Sequence, residues 1–194
     1  MPTLIVATGN PGKLAEMQTY LEPLGCQLAL KPSEIEVEET GSTFYENACL
    51  KASQVAKALN QWAIADDSGL AVDALDGAPG LYSARYGNSD GERIAKLLQA
   101  LEGVSQRQAQ FICVVAIAAP DGSIQLSTEG ICSGEIAHSP RGDQGFGYDP
   151  IFWLPDHKKT FAEMTKVEKQ TVSHRGKAFN KLIHQWPGLK FDSF

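Results

Sequence analysis

The sequence has no apolar run long enough to cross a bilayer: the longest, Phe111 to Ala119, falls well short of the roughly 20 residues a spanning helix needs. It lacks a surplus of positive charge, with 17 Lys and Arg against 23 Asp and Glu, a formal net charge of −6 and a pI near 5.2. Long nucleic acid is therefore not expected as a partner, because neutralising a phosphate backbone takes clustered cations. A small anion held by local cations stays open. Cysteine is sparse, and Cys26, Cys49, Cys113 and Cys132 show no CxxC spacing, so neither a disulfide framework nor a thiolate metal site is expected. All four read as reduced, structural thiols. No signal peptide is readable either: Met1-Pro2-Thr3 has no basic region, and Leu4 to Ala7 runs straight into Thr8-Gly9-Asn10-Pro11-Gly12-Lys13, which makes the cytosol the expected compartment. Among catalytic signatures, a GxSxG elbow is missing, and His138, His157, His174 and His184 have no zinc spacing.

What is present is an ordinary globular composition, 43% hydrophobic and 21% charged over 194 residues, enough for one domain or one domain built as two lobes. Thr3 to Ala7 reads as a strand, followed by a Gly/Pro turn and a helix carrying Leu14, Met17, Leu21 and Leu24. Thr43 with Glu46 and Ser89 with Glu92 have capping-box spacing and announce two further helices. Trp62 to Ala65 is expected to be a buried strand that delivers Asp66-Asp67-Ser68-Gly69 at its end, with Leu70 to Ala74 a separate strand. Phe111 to Ala118 and Ser123 to Thr128, joined by Pro120-Asp121-Gly122, suggest a hairpin in a mixed sheet. Thr160 with Glu163 opens the return to helix, which continues through Ala178, Leu182, Ile183 and Trp186 and stops at Pro187-Gly188.

Several segments have the composition of a site. Thr8 to Lys13 lies between a strand and a helix, where backbone N–H groups and the helix dipole favour a phosphate and Lys13 adds a full charge. It matches neither GxxxxGK[ST] nor GxGxxG, and a plain tight turn uses the same residues. Lys51 stands seven residues after Phe44 and four before Val55, on the apolar stripe of its own helix, so it points inward or snorkels to an edge. Asp66 and Asp67 follow an apolar strand, and one of them is expected to enter a site. Glu36, Glu38 and Glu39 supply more carboxylates, and Mg²⁺ needs only one or two besides water and phosphate oxygens. Gly145 to Pro150 interleaves Phe146 and Tyr148 with glycines, as a backbone approaching a flat ligand would. Ser173-His174-Arg175-Gly176 brings an imidazole and a guanidinium to a helix start.

Taken together, ATGNPGK at the start, EETGSTFYENACLKA, ADDSGLAVDALDGAPGLYSARYG, GFGYDPIF and SHRGKAF resemble, in order and over essentially the whole chain, the Ham1/RdgB family of inosine triphosphate pyrophosphatases. The resemblance implies an α/β fold of two lobes around a central mixed β-sheet with flanking helices, a substrate cleft between the lobes, a single domain over residues 1–194 with no separable linker, and a homodimer. It implies hydrolysis of noncanonical purine nucleoside triphosphates (dITP, ITP, XTP) to monophosphate and pyrophosphate with Mg²⁺. By the same resemblance Asp67 is the catalytic acid/base and shares Mg²⁺ with Glu39, or with Glu38 because the acidic run leaves that alignment loose. Thr8, Gly9, Asn10, Pro11, Gly12, Lys13 and Lys51 are the phosphate set. Ser68, Phe146, Gly147, Tyr148, Asp149, Lys169, His174 and Arg175 complete the substrate-binding residues, the later ones toward the base. A Maf-type pyrophosphatase is the rival within enzymes, opposed by SHRGKAF and GFGYDPIF. A nucleotide sensor without hydrolysis is opposed by Asp66-Asp67, and a haloacid-dehalogenase-type phosphatase by the lack of DxD spacing.

Overall fold

The structure, a computed structural model, describes residues 3–189, so Met1 and Pro2 of the expected leaderless start and both ends of the expected 1–194 domain lie outside the described residues. Seven strands form one sheet in the order β2-β1-β3-β4-β5-β6-β7. They are β1 (Thr3–Val6), β2 (Gln27–Leu30), β3 (Ala63–Val72), β4 (Gln108–Ala118), β5 (Ile124–Ile136), β6 (Phe152–Leu154) and β7 (Lys159–Thr160). Strand β1 runs parallel to β2 and β3, with Val6 opposite Leu30 and Ile64; β6 runs antiparallel to β5 and β7. The sheet is mixed, as the sequence suggests. The helices are α1 (Pro11–Leu21), α2 (Phe44–Leu59), α3 (Asp90–Ala100), α4 (Lys166–Val172) and α5 (His174–Gln185), and none is long and apolar enough to cross a membrane.

The chain divides into two compact units, each assembled from separated segments. Among the described residues, the first contains 3–67, 113–130 and 177–189. In it, alternate residues of the strands feed two cores. Leu4, Val6, Ile64, Cys113, Val115 and Ile117 pack with Met17 and Leu21 of α1 and Phe179 and Leu182 of α5. Ile5, Ala63, Ala65, Val114 and Ala116 pack with Ala48, Ala52, Val55 and Ala56 of α2. Strands covered on both faces must be apolar at every position, which is why Leu4 to Ala7 and Phe111 to Ala118 read as continuous runs rather than alternating ones. Each large side chain fully buried there contributes about 1.5–3 kcal/mol. The second unit, residues 68–112 and 131–176, has its own core of Leu70, Val72, Leu97, Leu101, Phe111, Phe152, Phe161 and neighbours.

Several local expectations need correction. Strand β3 does not stop before Asp66: it runs through Asp66, Asp67, Ser68 and Gly69 to Val72, so Leu70 to Ala74 is not a separate strand but largely the continuation of the same one. The caps at Thr43 and Ser89 form, with their hydroxyls accepting from the N–H of Glu46 and Glu92, but each glutamate reaches one residue further back, to the N–H of Ser42 and Asn88. The Thr160/Glu163 box closes only a three-residue turn; helix α4 starts at a second box, Thr165 with Glu168. Strands β2, β6 and β7, two to four residues each, are too short to carry a periodicity and were not expected.

Candidate functional site

In the first unit, β3 runs past the carboxyl end of its parallel neighbour β1, which finishes at Val6 opposite Ile64. Asp66 and Asp67 therefore sit where parallel strands of α/β proteins present ligands, although they lie within a strand rather than at its end. The period of two sends them to opposite faces. Asp66, its side chain wholly buried, pairs with Lys13 of α1 (Nζ to Oδ2, 3.2 Å) and accepts a long contact from the Cys113 thiol. Asp67 pairs with Lys51 of α2 (Nζ to Oδ1, 2.9 Å). Each carboxylate meets a lysine from the helix on its own face.

The Thr8–Lys13 loop follows β1. Asn10 caps α1, its Oδ1 accepting from the N–H of Gly12 (2.9 Å) and Lys13 (3.2 Å); Pro11 occupies the first helical turn, and Thr8 Oγ1 accepts from Asn10 N–H. Two of the loop's amides, those of Gly12 and Lys13, are thus held by Asn10, so the charge an anion would meet in this loop is mainly that of Lys13. A Cβ built on Gly9 meets nothing, so Gly9 leaves open space beside the loop.

Lys51 points inward from the apolar stripe of α2 as its spacing requires, and it is 9% exposed. Its ammonium also binds Glu39 Oε1 at 2.7 Å, which brings Glu39 and not Glu38 to Asp67. The extended segment explains the choice: Ile35 and Val37 pack inward and Glu39 follows them at the same period, whereas Glu34, Glu36 and Glu38 are exposed. Burial works against the Lys51 ammonium, but Asp67, Asp66 and the bond to Glu39 outweigh it and hold its pKa above the usual lysine value. Burial pushes the Asp67 carboxyl above the usual carboxylate range, offset only in part by Lys51 and Lys13 and reinforced by Glu39. Two carboxylates converging on one ammonium are a hard-oxygen donor pair that suits Mg²⁺ accompanied by phosphate oxygens. Among the described residues no three His, Cys, Asp or Glu gather into a metal cage, so such an ion would depend on oxygens from its substrate.

The second unit holds a different group. Arg175, 2% exposed at the start of α5, donates from Nη2 to Ser68 Oγ at 3.0 Å. His174 beside it stacks on Phe111, with ring centroids 4.5 Å apart and 9° between planes, so its ring is clamped in the core. Lys169 of α4 binds Asp149 Oδ2 at 2.6 Å, and the same oxygen accepts from Phe146 N–H. The Phe146 ring lies 5.0 Å from Lys169 Nζ and 5.9 Å from Arg175 Cζ. Tyr148 is buried and donates its hydroxyl to the Ser83 carbonyl at 2.9 Å, burial driving its phenol well above the usual tyrosine range. Gly145 is glycine by necessity, because at φ 80° a Cβ would fall 2.0 Å from Asp149 Oδ2. Phe146, Asp149, Lys169 and Arg175 thus form one cluster within this unit, Tyr148 anchors its loop, and Ser68 joins through Arg175.

Sequence reading leaves three participants unassigned. Asp66 is set aside in favour of its neighbour, yet the lysines of α1 and α2 on the two faces of β3 are a signal that both carboxylates have partners. Ser83, whose hydroxyl also accepts from Leu70 N–H, and Asp90, which accepts from Gly147 N–H at 2.7 Å, act across 13 and 57 residues of sequence, and no local pattern announces either.

The profile of the Ham1 family matches residues 4–185. The chain is 95% identical over 194 residues, the whole of both proteins, to a dITP/XTP pyrophosphatase of Synechocystis sp.. It is 66% identical to one of Nostoc sp. over 93% of this chain and 92% of that protein. Among solved structures it is similar to a HAM1 protein from Coxiella burnetii, with a TM-score of 0.88 and 44% identity over 97% of this chain and 100% of that one. The Ham1 protein of Staphylococcus aureus follows at a TM-score of 0.86 and 43% identity over the same shares. On sequence over nearly its full length and on fold alike, the chain belongs to the Ham1 family.

Proposed function

We propose that the protein hydrolyses noncanonical purine nucleoside triphosphates, dITP, ITP and XTP, to the monophosphate and pyrophosphate. The observation that carries this reading is the 95% identity over the full length with a dITP/XTP pyrophosphatase, and the ion pairs Lys13–Asp66, Lys51–Asp67 and Lys51–Glu39 are consistent with it. Lys13 and Lys51 are ammonium groups already held by carboxylates, so their charge is pre-positioned for the phosphates and for the pyrophosphate that leaves. Asp67 accepts a proton from the attacking water as the link between the α and β phosphorus breaks. Glu39 and Asp67 would hold Mg²⁺, which when bound would supply charge neutralisation at the phosphate oxygens. Ser68, Phe146 to Asp149, Lys169, His174 and Arg175 serve the substrate's other end. Donors from this set facing the purine 6-carbonyl of hypoxanthine or xanthine would lack a partner when adenine's amino group takes its place.

The same reading includes a homodimer and a cytosolic location. The family resemblance supports the dimer, and four free thiols suit a reducing compartment. It also includes one domain, because the chain crosses between its two units four times and neither is a continuous piece. A single unfolding transition in calorimetry is expected, and two resolved transitions would contradict the one-domain part. The test of the function is pyrophosphate release across dITP, ITP, XTP, dGTP, dATP and dUTP: release concentrated on the first three supports it, and release of phosphate alone, or binding without turnover, would overturn it.

A further inference from the structure

Helix α3 opens at Asp90, and the reaction described above makes no use of that residue. Its carboxylate nevertheless spans 57 residues of sequence to the glycine-rich loop: Oδ2 accepts from Gly147 N–H at 2.7 Å, while Oδ1 accepts from Arg93 at 2.6 Å. Arg93 is itself fixed, its Nε donating to the Gly87 carbonyl at 3.1 Å. Phe146 stands between two glycines at positive φ, Gly145 at 80° and Gly147 at 63°, so its peptide begins with more conformational freedom than any other residue pair would give it. On the amino side the freedom is removed by the bond from Phe146 N–H to Asp149. On the carboxyl side it is removed by Asp90, and because the acceptor is a carboxylate this bond is charge-assisted.

We propose that Asp90 is a positioning residue for base recognition: by holding the Gly147 amide it fixes the Phe146 peptide, and with it the ring that lies beside Lys169 and Arg175. The proposal rests on reading Phe146 to Asp149 as part of the base-recognising set. Asp90 touches no reacting group, so its loss acts on binding of the whole nucleotide and not on the phosphates or the proton transfer.

The experiment compares wild type with Asp90→Ala, Asp90→Asn, Arg93→Ala and Phe146→Ala, reading kcat and KM for XTP and dITP and the inhibition constant of inorganic tripolyphosphate, which has no base. Asp90→Ala should raise KM about 3- to 10-fold, as loss of one exposed charge-assisted hydrogen bond would, with kcat and the tripolyphosphate constant unchanged. Asp90→Asn keeps an acceptor oxygen and should recover most of the affinity; Arg93→Ala should give a smaller rise, and both remain readable if Asp90→Ala folds poorly. An unchanged KM in Asp90→Ala while Phe146→Ala raises it overturns the role of Asp90 and leaves the base-recognition reading standing. No change in either variant overturns that reading and the proposal with it. A parallel rise in KM and in the tripolyphosphate constant, or a fall in kcat and melting temperature with KM intact, assigns Asp90 to general stability and also overturns the proposal.

Discussion

In the first unit two ion-paired sets flank β3, Asp66 with Lys13 on one face and Asp67 and Glu39 with Lys51 on the other, each lysine delivered by the helix on its face. In the second, Lys169 pairs with the Asp149 carboxylate, Lys169 and Arg175 both lie near the ring of Phe146, and His174 is stacked on Phe111. One group is built from charge alone; the other combines charge, flat apolar surface and directed donors. Charge alone recognises phosphates whatever base they carry, whereas a base is told apart by rings and donors. The peptide bond between Asp67 and Ser68 joins the two groups in sequence, so a single strand supplies both the proposed base and the hydroxyl that Arg175 binds.

Withdrawing divalent metal is expected to have the largest effect. With excess EDTA, turnover of dITP and XTP should disappear and return on adding Mg²⁺, because Glu39 and Asp67 would otherwise repel a polyanionic substrate. Full activity in EDTA would remove both carboxylates from the metal role. Next comes Asp67→Asn, which keeps the size and loses the base: kcat should fall about 10²- to 10⁴-fold for every accepted nucleotide. If instead only one nucleotide suffers, the first unit is taking part in base choice and the contrast between the groups fails.

The smallest expected effect lies outside both groups. Glu168 is held down to about 2, chiefly by the hydrogen bond from Lys159 and then by the Thr165 N–H it caps. A carboxyl depressed in the folded state stabilises above its ordinary value near 4.5 and loses that contribution as pH falls toward 2. Glu168→Gln should therefore lower the melting temperature slightly at pH 7, with the difference from wild type vanishing near pH 2 and no change in kcat/KM at neutral pH. A difference that persists undiminished at pH 2 would show that the charge is not its source.

How far the sequence reveals each group follows from the same contrast. Lys51 was legible because a lysine on an apolar helical stripe needs a buried counter-charge, and Asp66-Asp67 after an apolar run supplies one. The choice of Glu39 over Glu38 was legible in principle, since Ile35 and Val37 set a period of two that only Glu39 continues, although the acidic run hides it. The continuation of β3 through Asp66 to Val72 was not, because two aspartates and a Ser-Gly pair have poor strand propensity and only neighbouring strands override it. In the second unit the glycines around Phe146 advertise a special backbone, but Asp90 and Ser83 join it across 57 and 65 residues, distances over which no local pattern operates, whereas Ser68, 107 residues from Arg175, is named by the family resemblance alone.

The division between a phosphate group and a base group is tested most directly by the selectivity ratio, kcat/KM for XTP over that for ATP, in Lys51→Ala and Arg175→Ala. Lys51→Ala should depress both nucleotides by a similar factor, about 10²-fold, and leave the ratio as in wild type. Arg175→Ala should lower the ratio itself by about 10-fold, because XTP loses a partner that ATP never had. A uniform loss in Arg175→Ala, with the ratio unchanged, would contradict the division and return Arg175 to the phosphates.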